Sequence, residues 1–181
     1  EPGPDLATLA ALHSAHVAAI PFESLDPFLG RPVSLDLASI QAKMVHGRRG
    51  GYCYEQNTLF RAALEKIGFH VTGLAGRVRW MSEPDAPLAA RTHMLLRVEL
   101  ADGAWLADVG FGGCLLDRPL RLETGMDQET AAGTYRLVGA GGTLSLEARP
   151  PGGWRRMYMF DLTRQEDSDY AVANLYSSTN P

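Results

Sequence analysis

Cysteine is scarce in this chain, which argues against both a disulfide framework and a zinc site. The sequence has 181 residues and two cysteines, Cys53 and Cys114, which are far apart and belong to no CxxC or HxxxH pattern. Two such cysteines do not make a disulfide framework, and the chain has no spacing typical of a zinc site. We therefore expect no metal site, and the default expectation is a reducing, cytoplasmic setting.

Long hydrophobic runs and concentrated positive charge are also missing. No apolar run approaches the roughly 18 residues that a membrane span requires, and the first residues lack the basic region and apolar core of a signal peptide. Lysine and arginine total 17 against 21 aspartates and glutamates, for a net charge of −4. Since phosphate binding needs a basic face, we expect neither nucleic acid nor a membrane as a partner, and the oligomeric state is left open.

The chain does show a change of hydrophobic period along its length. Three helices are predicted first, over residues 6–20, 35–45 and 52–68. Six strands are predicted next, over residues 71–80, 92–100, 104–111, 134–138, 143–148 and 154–160. The tail from residue 169 onward is expected to form no clear terminal element. This segregation predicts an α+β fold, with an N-terminal helical bundle in residues 1–72 and an antiparallel sheet or β-barrel in residues 73–181.

Cys53 follows two glycines in the segment RRGGYCYEQN, where the third helix is predicted to begin. Unpaired backbone N–H groups and the macrodipole favour an anion at a helix N-terminus, so a thiolate is favoured there. Gly50 and Gly51 would let the backbone approach a substrate closely, and the Cys53 N–H is a candidate oxyanion donor. A free cysteine is also commonly a small buried residue. This segment alone therefore leaves a reactive nucleophile and an inert core residue as alternatives.

A nucleophilic cysteine needs a base, and His93 differs from the other histidines because it begins the most regular predicted hairpin. If the turn is Asp102-Gly103, Arg97 pairs with Asp108, and the two-residue period places His93 on the same face of the sheet. His93 and Asp108 would still lie about 13 Å apart, so their contact requires a bulge, a longer loop or a register shift. An Arg97–Asp108 ion pair is an alternative with equal support.

Four segments together resemble the arylamine N-acetyltransferases: IPFESLD, RRGGYCYEQN, THMLLRVEL with WLADVGFGG, and ANLYSSTNP. The resemblance covers nearly the whole chain, and the RGGxCxEQN and DVGFGG segments are specific. It implies a helical bundle followed by a β-barrel, with a core like that of cysteine proteinases and transglutaminases. It also implies a catalytic triad in which Cys53 is the acetyl-accepting nucleophile, His93 its ion-pair partner and proton carrier, and Asp108 the orienting carboxylate.

The resemblance further implies a pocket and a reaction. The pocket-lining positions include aromatic residues, which suit a flat arylamine or arylhydrazine. They fall on Phe22, Val78, Trp80, Thr92 and Phe111. The implied reaction is ping-pong acetyl transfer through acetyl-Cys53 to an arylamine, arylhydrazine or arylhydroxylamine, with acetyl-CoA as co-substrate and no bound cofactor. Arg48 and Arg49 either steer the CoA phosphates or serve as solvated capping residues.

The chain departs from the family pattern in two ways. Ser24 replaces the asparagine of the PFEN motif, which we expect to affect only a local loop hydrogen bond. The resemblance covers the N-terminal two of the family's three domains, so we expect the third domain, a lid that helps to hold CoA, to be absent from this chain. Three other functions stay open: an amide synthase that closes polyketide macrolactams, a papain- or transglutaminase-like amidase, and an inactive truncated homologue.

Overall fold

The structure, a computed structural model, describes residues 2–83 and 85–180. The outer limits of the two predicted domains, Glu1 and Pro181, lie outside the described residues, as does Pro84. The helices are α1 (Leu6–Ala19), α2 (Leu25–Phe28), α3 (Leu37–Ile40), the π-helix π1 (Gln41–His46), α4 (Cys53–Ile67) and α5 (Asp167–Thr179). Among the described residues, none of these helices has the length and apolarity that crossing a membrane requires.

The helix ends follow from local sequence. Asp5 caps α1 by accepting a hydrogen bond from the backbone N–H of Thr8 at 2.8 Å. The second predicted helix is regular only over α3 and then widens into π1. Helix α4 ends at Gly68, whose φ of 106° lies in the left-handed region that favours glycine. The three predicted helices are therefore present, and the middle one is distorted.

The remaining chain forms one antiparallel sheet. In the part of the chain that the structure describes, its strands are β1 (His70–Val78), β2 (His93–Leu100), β3 (Gly103–Ala107), β4 (Leu120–Arg121), β5 (Asp127–Glu129), β6 (Thr134–Ala140), β7 (Thr143–Ala148) and β8 (Arg155–Phe160). Their order across the sheet is β4-β3-β2-β1-β8-β7-β6-β5.

The two edge strands, β4 and β5, are consecutive in the chain and are joined by a short connection. The two edges of the sheet therefore lie close together, and the sheet is a nearly closed barrel. Thr124, between them, forms an isolated bridge with Leu137 of β6. The predicted α+β class and the antiparallel barrel after the helices are therefore confirmed. The six predicted strands correspond to β1–β3 and β6–β8, while the short strands β4 and β5 were not anticipated.

The C-terminal residues form α5, so the expectation of a tail without a terminal element is wrong. Tyr170 is buried, and its hydroxyl donates a hydrogen bond to the carbonyl of Leu74 at 3.0 Å. One turn later, the Asn174 side-chain amide donates to the carbonyl of Val33 at 2.9 Å. Helix α5 therefore joins the first strand of the barrel to the helical part of the molecule.

Strand β2 separates two hydrophobic cores. Met94, Leu96 and Val98 face the helices and belong to a core shared with α1 and α4. Leu95 faces the opposite way, into the barrel core. His93 has the same parity as Leu95, and its ring packs against aromatic residues of the barrel core. The alternation along β2 therefore places His93 at the boundary between the two cores, next to the beginning of α4.

Candidate active site

Cys53 is the first residue of α4 and lies at the edge of a cleft. Its exposed fraction is 7%, and its Sγ lies 3.5 Å from the carbonyl oxygen of Thr92. Glu55 caps the helix by accepting a hydrogen bond from the N–H of Tyr52 at 3.2 Å. At the first position of a helix, an N–H has no acceptor within the helix. The Cys53 N–H therefore has no acceptor within α4, as the candidate role of oxyanion donor requires.

The β2–β3 hairpin is aligned two residues away from the predicted register. Leu100 pairs with Gly103, so the turn begins one residue earlier than expected. Gly103 has a φ of 128°, which a side chain would strain. A shift of two residues keeps each side chain on its face and reduces the His93–Asp108 separation along the strand from about 13 Å to about 7 Å.

His93 and Asp108 form a buried pair at the end of this hairpin. His93 Nε2 lies 2.7 Å from Asp108 Oδ2, and both side chains are almost completely buried. Because Nε2 contacts Asp108, Nδ1 is the ring nitrogen available to the neighbouring Cys53 thiol, whose interaction with the ring favours the charged form of His93. The alternative Arg97–Asp108 ion pair is wrong, since Arg97 forms its ion pair with Glu99.

Burial and charge act in opposite directions on this pair. Burial alone lowers the pKa of His93, but the charge and hydrogen bond of Asp108 more than offset it and raise that pKa above its ordinary value. Burial alone raises the pKa of Asp108, but His93 and the donors on Gly110 and Asn57 lower it overall. The pair is therefore imidazolium and carboxylate at neutral pH, and the imidazolium is the counter-ion that a Cys53 thiolate requires.

Asn57 holds Asp108 in place. Its Nδ2 donates to Asp108 Oδ1 at 3.1 Å and to the carbonyl of Met94 at 2.8 Å, and its Oδ1 accepts from the N–H of Val109 at 3.2 Å. Asn57 is fully buried and lies one helical turn after Cys53, on the same face of α4. Sequence reasoning gave it no role. The four-residue spacing within RGGxCxEQN is the signal that would have found it.

The DVGFGG segment passes so close to its neighbours that its glycines are needed for space. A Cβ on Gly110 would lie 2.7 Å from the Cys53 Cα, and one on Gly113 would lie 2.7 Å from the Trp80 ring. A Cβ on Gly112 would collide with the ring of Phe22. A side chain at any of these three glycines would therefore displace either Cys53 or a wall of the cleft.

Cys53 and His93 line a cleft with a volume of about 460 Å³, and all five predicted pocket residues line it with them. These five are Phe22, Val78, Trp80, Thr92 and Phe111. The Phe111 ring stands edge-to-face against both Trp80 and His93, with centroids 6.3 and 5.2 Å away. Asp108 is not in the wall, because it lies behind His93. The C-terminal end of the chain adds wall residues that were not predicted: Tyr176, Ser177 and Asn180.

Phe22 reaches the cleft because the segment before α2 runs beside the glycines that precede α4. Phe22 forms a parallel bridge with Gly51, and the Glu23 N–H donates to the Gly51 carbonyl at 3.1 Å. Arg49 fixes this segment through ion pairs of 2.8 Å to Glu23 and 3.1 Å to Asp26. The Arg49 guanidinium is thus engaged by carboxylates, which favours a supporting role over phosphate steering.

The second cysteine lies outside this cleft. Cys114 packs against the barrel core, and burial raises the pKa of its thiol. Both cysteines are free thiols. Within residues 2–83 and 85–180, no cluster of three or more histidine, cysteine, aspartate or glutamate side chains is arranged to hold a metal ion.

Comparison with known sequences gives extensive matches. A family profile described as N-acetyltransferase matches residues 5–181. An arylamine N-acetyltransferase of Mycolicibacterium smegmatis is 48% identical over 183 residues, covering 99% of this chain and 66% of its own length. An arylamine N-acetyltransferase / N-hydroxyarylamine O-acetyltransferase of Salmonella typhimurium is 47% identical over 178 residues, covering 98% of this chain and 63% of its own length. The chain thus spans about two thirds of the length of these curated relatives.

Comparison with solved structures agrees. The arylamine N-acetyltransferase structure from M. smegmatis has a TM-score of 0.94 at 48% identity, covering 98% of this chain and 66% of that chain. The structure of the Mycobacterium marinum arylamine N-acetyltransferase in complex with CoA has a TM-score of 0.95 at 44% identity, covering 99% of this chain and 67% of that chain. The fold described above is therefore the fold of these enzymes over the shared residues.

Proposed function

Because this chain belongs to the arylamine N-acetyltransferase family, we propose that it carries the nucleophile and proton carrier for acetyl transfer from acetyl-CoA to arylamines, arylhydrazines or arylhydroxylamines. The observation that carries the proposal is the alignment of a thiol, an imidazolium and a carboxylate beside an aromatic cleft. Cys53 is the proposed nucleophile, His93 the proton carrier and Asp108 the carboxylate that orients His93.

The first half-reaction forms acetyl-Cys53. The Cys53 thiolate attacks the thioester carbonyl of acetyl-CoA, and the resulting oxyanion accepts a hydrogen bond from the Cys53 N–H. The intermediate collapses by breaking the bond between the carbonyl carbon and the sulfur of CoA. The departing CoA thiolate takes the proton of His93, which leaves a neutral imidazole and a thioester on Cys53.

The second half-reaction restores the starting state. The amine nitrogen attacks the carbonyl of acetyl-Cys53, and neutral His93 takes the proton that the nitrogen loses. The bond to sulfur breaks, which releases the amide and regenerates the thiolate–imidazolium pair. Through the second step Asp108 stabilises the returning positive charge and keeps Nε2 of His93 occupied, so that Nδ1 faces the reacting atoms.

The cleft walls are proposed to hold the amine. Trp80 and Phe111 present ring edges and faces to a flat aromatic substrate, and Phe22 closes the side nearest Gly112. Val78 and Thr92 complete the set of proposed substrate-binding residues. An aromatic cleft of this size favours an arylamine over the bulky acyl chain of a macrolactam.

The division into a helical domain, residues 1–72, and a barrel domain, residues 73–181, remains a proposal. It is supported by the two separate hydrophobic cores. Helix α5 lies in the second range but packs against both parts. We also propose a cytoplasmic location, which the two free thiols support.

Intact-protein mass spectrometry tests the proposed function. Wild type and Cys53→Ser are mixed with acetyl-CoA and, separately, with p-nitrophenyl acetate, a small activated ester that needs no CoA site. We expect one acetyl group on wild type only, removed on addition of 5-aminosalicylate with formation of its N-acetyl product. Loss of the acetyl group at the same rate without amine would instead identify an amidase.

A second measurement covers the case in which neither donor reacts. Iodoacetamide should alkylate Cys53 much faster than Cys114, because only Cys53 has an imidazolium partner. If neither donor acetylates the protein and Cys53 reacts no faster than Cys114, the proposed function is overturned for this chain. Fast alkylation without transfer from acetyl-CoA, but with transfer from the ester, would show an intact triad whose CoA site is incomplete.

A further inference from the structure

Helix α1 contains a completely buried histidine, His13. His13 is 0% exposed, and its ring stands edge-to-face against Phe60 of α4 at a centroid distance of 5.6 Å. The mechanism above does not use it.

The ring of His13 contacts the backbone of the proposed triad. Its Nε2 accepts a hydrogen bond from the N–H of Asp108 at 3.3 Å. A neutral imidazole that accepts at Nε2 carries its hydrogen on Nδ1, and Nδ1 of His13 is buried with no hydrogen-bond partner among the described residues. An unpaired buried donor is destabilising. Because burying this ring has a cost, its hydrogen bond with the Asp108 N–H indicates a role at Asp108.

The charge state of His13 fits an acceptor. Burial lowers its pKa to about 4, so the ring is neutral at physiological pH. The groups that face it are Asp108 and Asp117, which favour the charged form, and His16, which opposes it. Burial outweighs the carboxylates, and Nε2 keeps the lone pair that the Asp108 N–H requires.

The next residue of α1 holds the far end of the same segment. The Ser14 hydroxyl donates to the carbonyl of Asp117 at 2.6 Å. Helix α1 therefore forms hydrogen bonds with both ends of the segment 108–117. This segment carries the DVGFGG glycines and the cleft residue Phe111. Only the His13 contact lies at the triad.

We propose that His13 is a positioning residue for Asp108, whose catalytic meaning rests on the proposed function. Asp108 is held at its N–H by His13 and at its Oδ1 by Asn57 and the N–H of Gly110, at 3.1 and 3.0 Å. With these contacts fixed, Oδ2 is directed at His93 Nε2. Loss of the His13 acceptor frees the Asp108 peptide to rotate and weakens the contact that keeps His93 protonated.

Alkylation of Cys53 by iodoacetamide, measured from pH 5 to 9, tests this inference without requiring acetyl transfer. His13→Leu removes the acceptor at similar volume, and His13→Gln replaces it with an amide oxygen. We expect His13→Leu to slow alkylation at pH 7 about tenfold, the effect of losing one buried hydrogen bond, and to move the pH profile. His13→Gln should recover most of the rate.

Leu9→Ala is the matched control, because Leu9 is also fully buried on α1 but packs only in the hydrophobic core. It should lower stability and leave the pH profile of alkylation unchanged. The inference is overturned if His13→Leu reacts like wild type, if His13→Gln is as slow as His13→Leu, or if Leu9→Ala shifts the profile equally. Slow alkylation of wild type would instead contradict the proposed function.

Nitrogen NMR of the unsubstituted protein gives a test that does not depend on folding of the variants. At pH 7 the long-range ¹⁵N–¹H correlations of His13 should show a protonated Nδ1 and an unprotonated, hydrogen-bond-accepting Nε2. A protonated Nε2, or an imidazolium, would overturn the inference whatever the alkylation rates are.

Discussion

Three consecutive residues of α4, Glu55, Gln56 and Asn57, each fix a different part of the candidate site. Glu55 caps α4 at the N–H of Tyr52. Gln56 donates to the carbonyl of Pro21 at 2.9 Å and so holds the segment that carries Phe22. Asn57 holds the carboxylate of Asp108. The EQN sequence is thus explained by three separate anchors rather than by contact with a substrate.

The segment that carries Gly110 passes very close to Cys53 and Asn57 of α4. We predict that Gly110→Ala destabilises the fold by about 2 kcal/mol, the usual effect of overpacking a rigid site. The new Cβ would lie 2.7 Å from the Cys53 Cα and 2.8 Å from the Asn57 amide nitrogen. The Cys53 Cα is a backbone atom, so it cannot move away by a rotamer change as a side chain can. Urea denaturation measures the loss, and mass spectrometry should show slower acetylation of Cys53.

Gly3→Ala serves as the control for this prediction, because a Cβ at Gly3 meets nothing within 4 Å. It should leave stability and acetylation unchanged within error. A Gly110→Ala variant as stable and as reactive as the Gly3→Ala variant would show that the segment can move away from α4, which would contradict the close contact described here.

At the scale of elements, π1 and α4 are joined by a partly buried lysine, Lys43. The wider turn of π1 directs Lys43 toward the start of α4, where its ammonium lies 2.8 Å from both Glu55 and Asp26. Burial raises the pKa of Glu55, and Lys43 opposes that rise. The carboxyl group that caps α4 is therefore stabilised in its charged form by a residue from another element.

We predict that Lys43→Met lowers the free energy of unfolding by about 3 kcal/mol at pH 7, because it leaves a buried carboxylate without its partner. The double variant Lys43→Met/Glu55→Gln should recover much of this loss. Lys43→Met should also regain stability as the pH falls, since a carboxyl whose folded-state pKa is raised binds its proton more readily in the folded protein. Urea denaturation at several pH values checks both; equal losses in the single and double variants would contradict the pairing.

The elements also show what the sequence could and could not predict. The two-residue period correctly placed His93 and Asp108 on one face, because parity is a local property of a strand. The turn that sets the register was misplaced by one residue, since any of several adjacent residues can form a two-residue turn. Helix α5 was missed because a buried position is the polar Asn174, while Val172 and Leu175 are 72% and 64% exposed, so the usual apolar stripe is absent.

At the scale of the whole molecule, the site lies where the helical core and the barrel core meet. The thiol comes from α4, and the imidazole and carboxylate come from the barrel. Asn57 and His13 cross the boundary from two different helices, and both bind the residue that follows β3. The geometry of the proposed triad therefore depends on how the two cores are packed together, which no local pattern in the sequence specifies. Only the family resemblance brought the three residues together before the structure did.

Two buried histidines with opposite pKa shifts contribute an acid limb and an alkaline limb to the pH dependence of stability. His13 has a folded-state pKa of about 4 against an ordinary value of 6.5, so the unfolded chain binds more protons between these values and stability falls as the pH drops. The slope is about 1.4 kcal/mol per pH unit, which amounts to about 3 kcal/mol over that interval. The pKa of His93 is raised, so its contribution is complete below pH 6.5 and is lost as the pH rises into the alkaline range.

We therefore predict that these two histidines give a stability maximum near pH 6.5, with separable limbs. Urea denaturation of wild type, His13→Gln and His93→Gln from pH 4 to 10 measures this. His13→Gln should reduce the loss of stability between pH 6.5 and 4 while keeping the alkaline decline. His93→Gln should remove the alkaline decline while keeping the acid one, because each variant removes one titrating group. Asp108, whose pKa is lowered, adds its loss only near and below its ordinary value of 3.8. Burial also lowers the pKa of His16, so His16 adds a decline of the same sign below pH 6.5, which His13→Gln leaves in place. An acid limb of equal slope in wild type and His13→Gln would mean that His13 titrates alike in the folded and unfolded chain, and that its ring is not held neutral against Asp108.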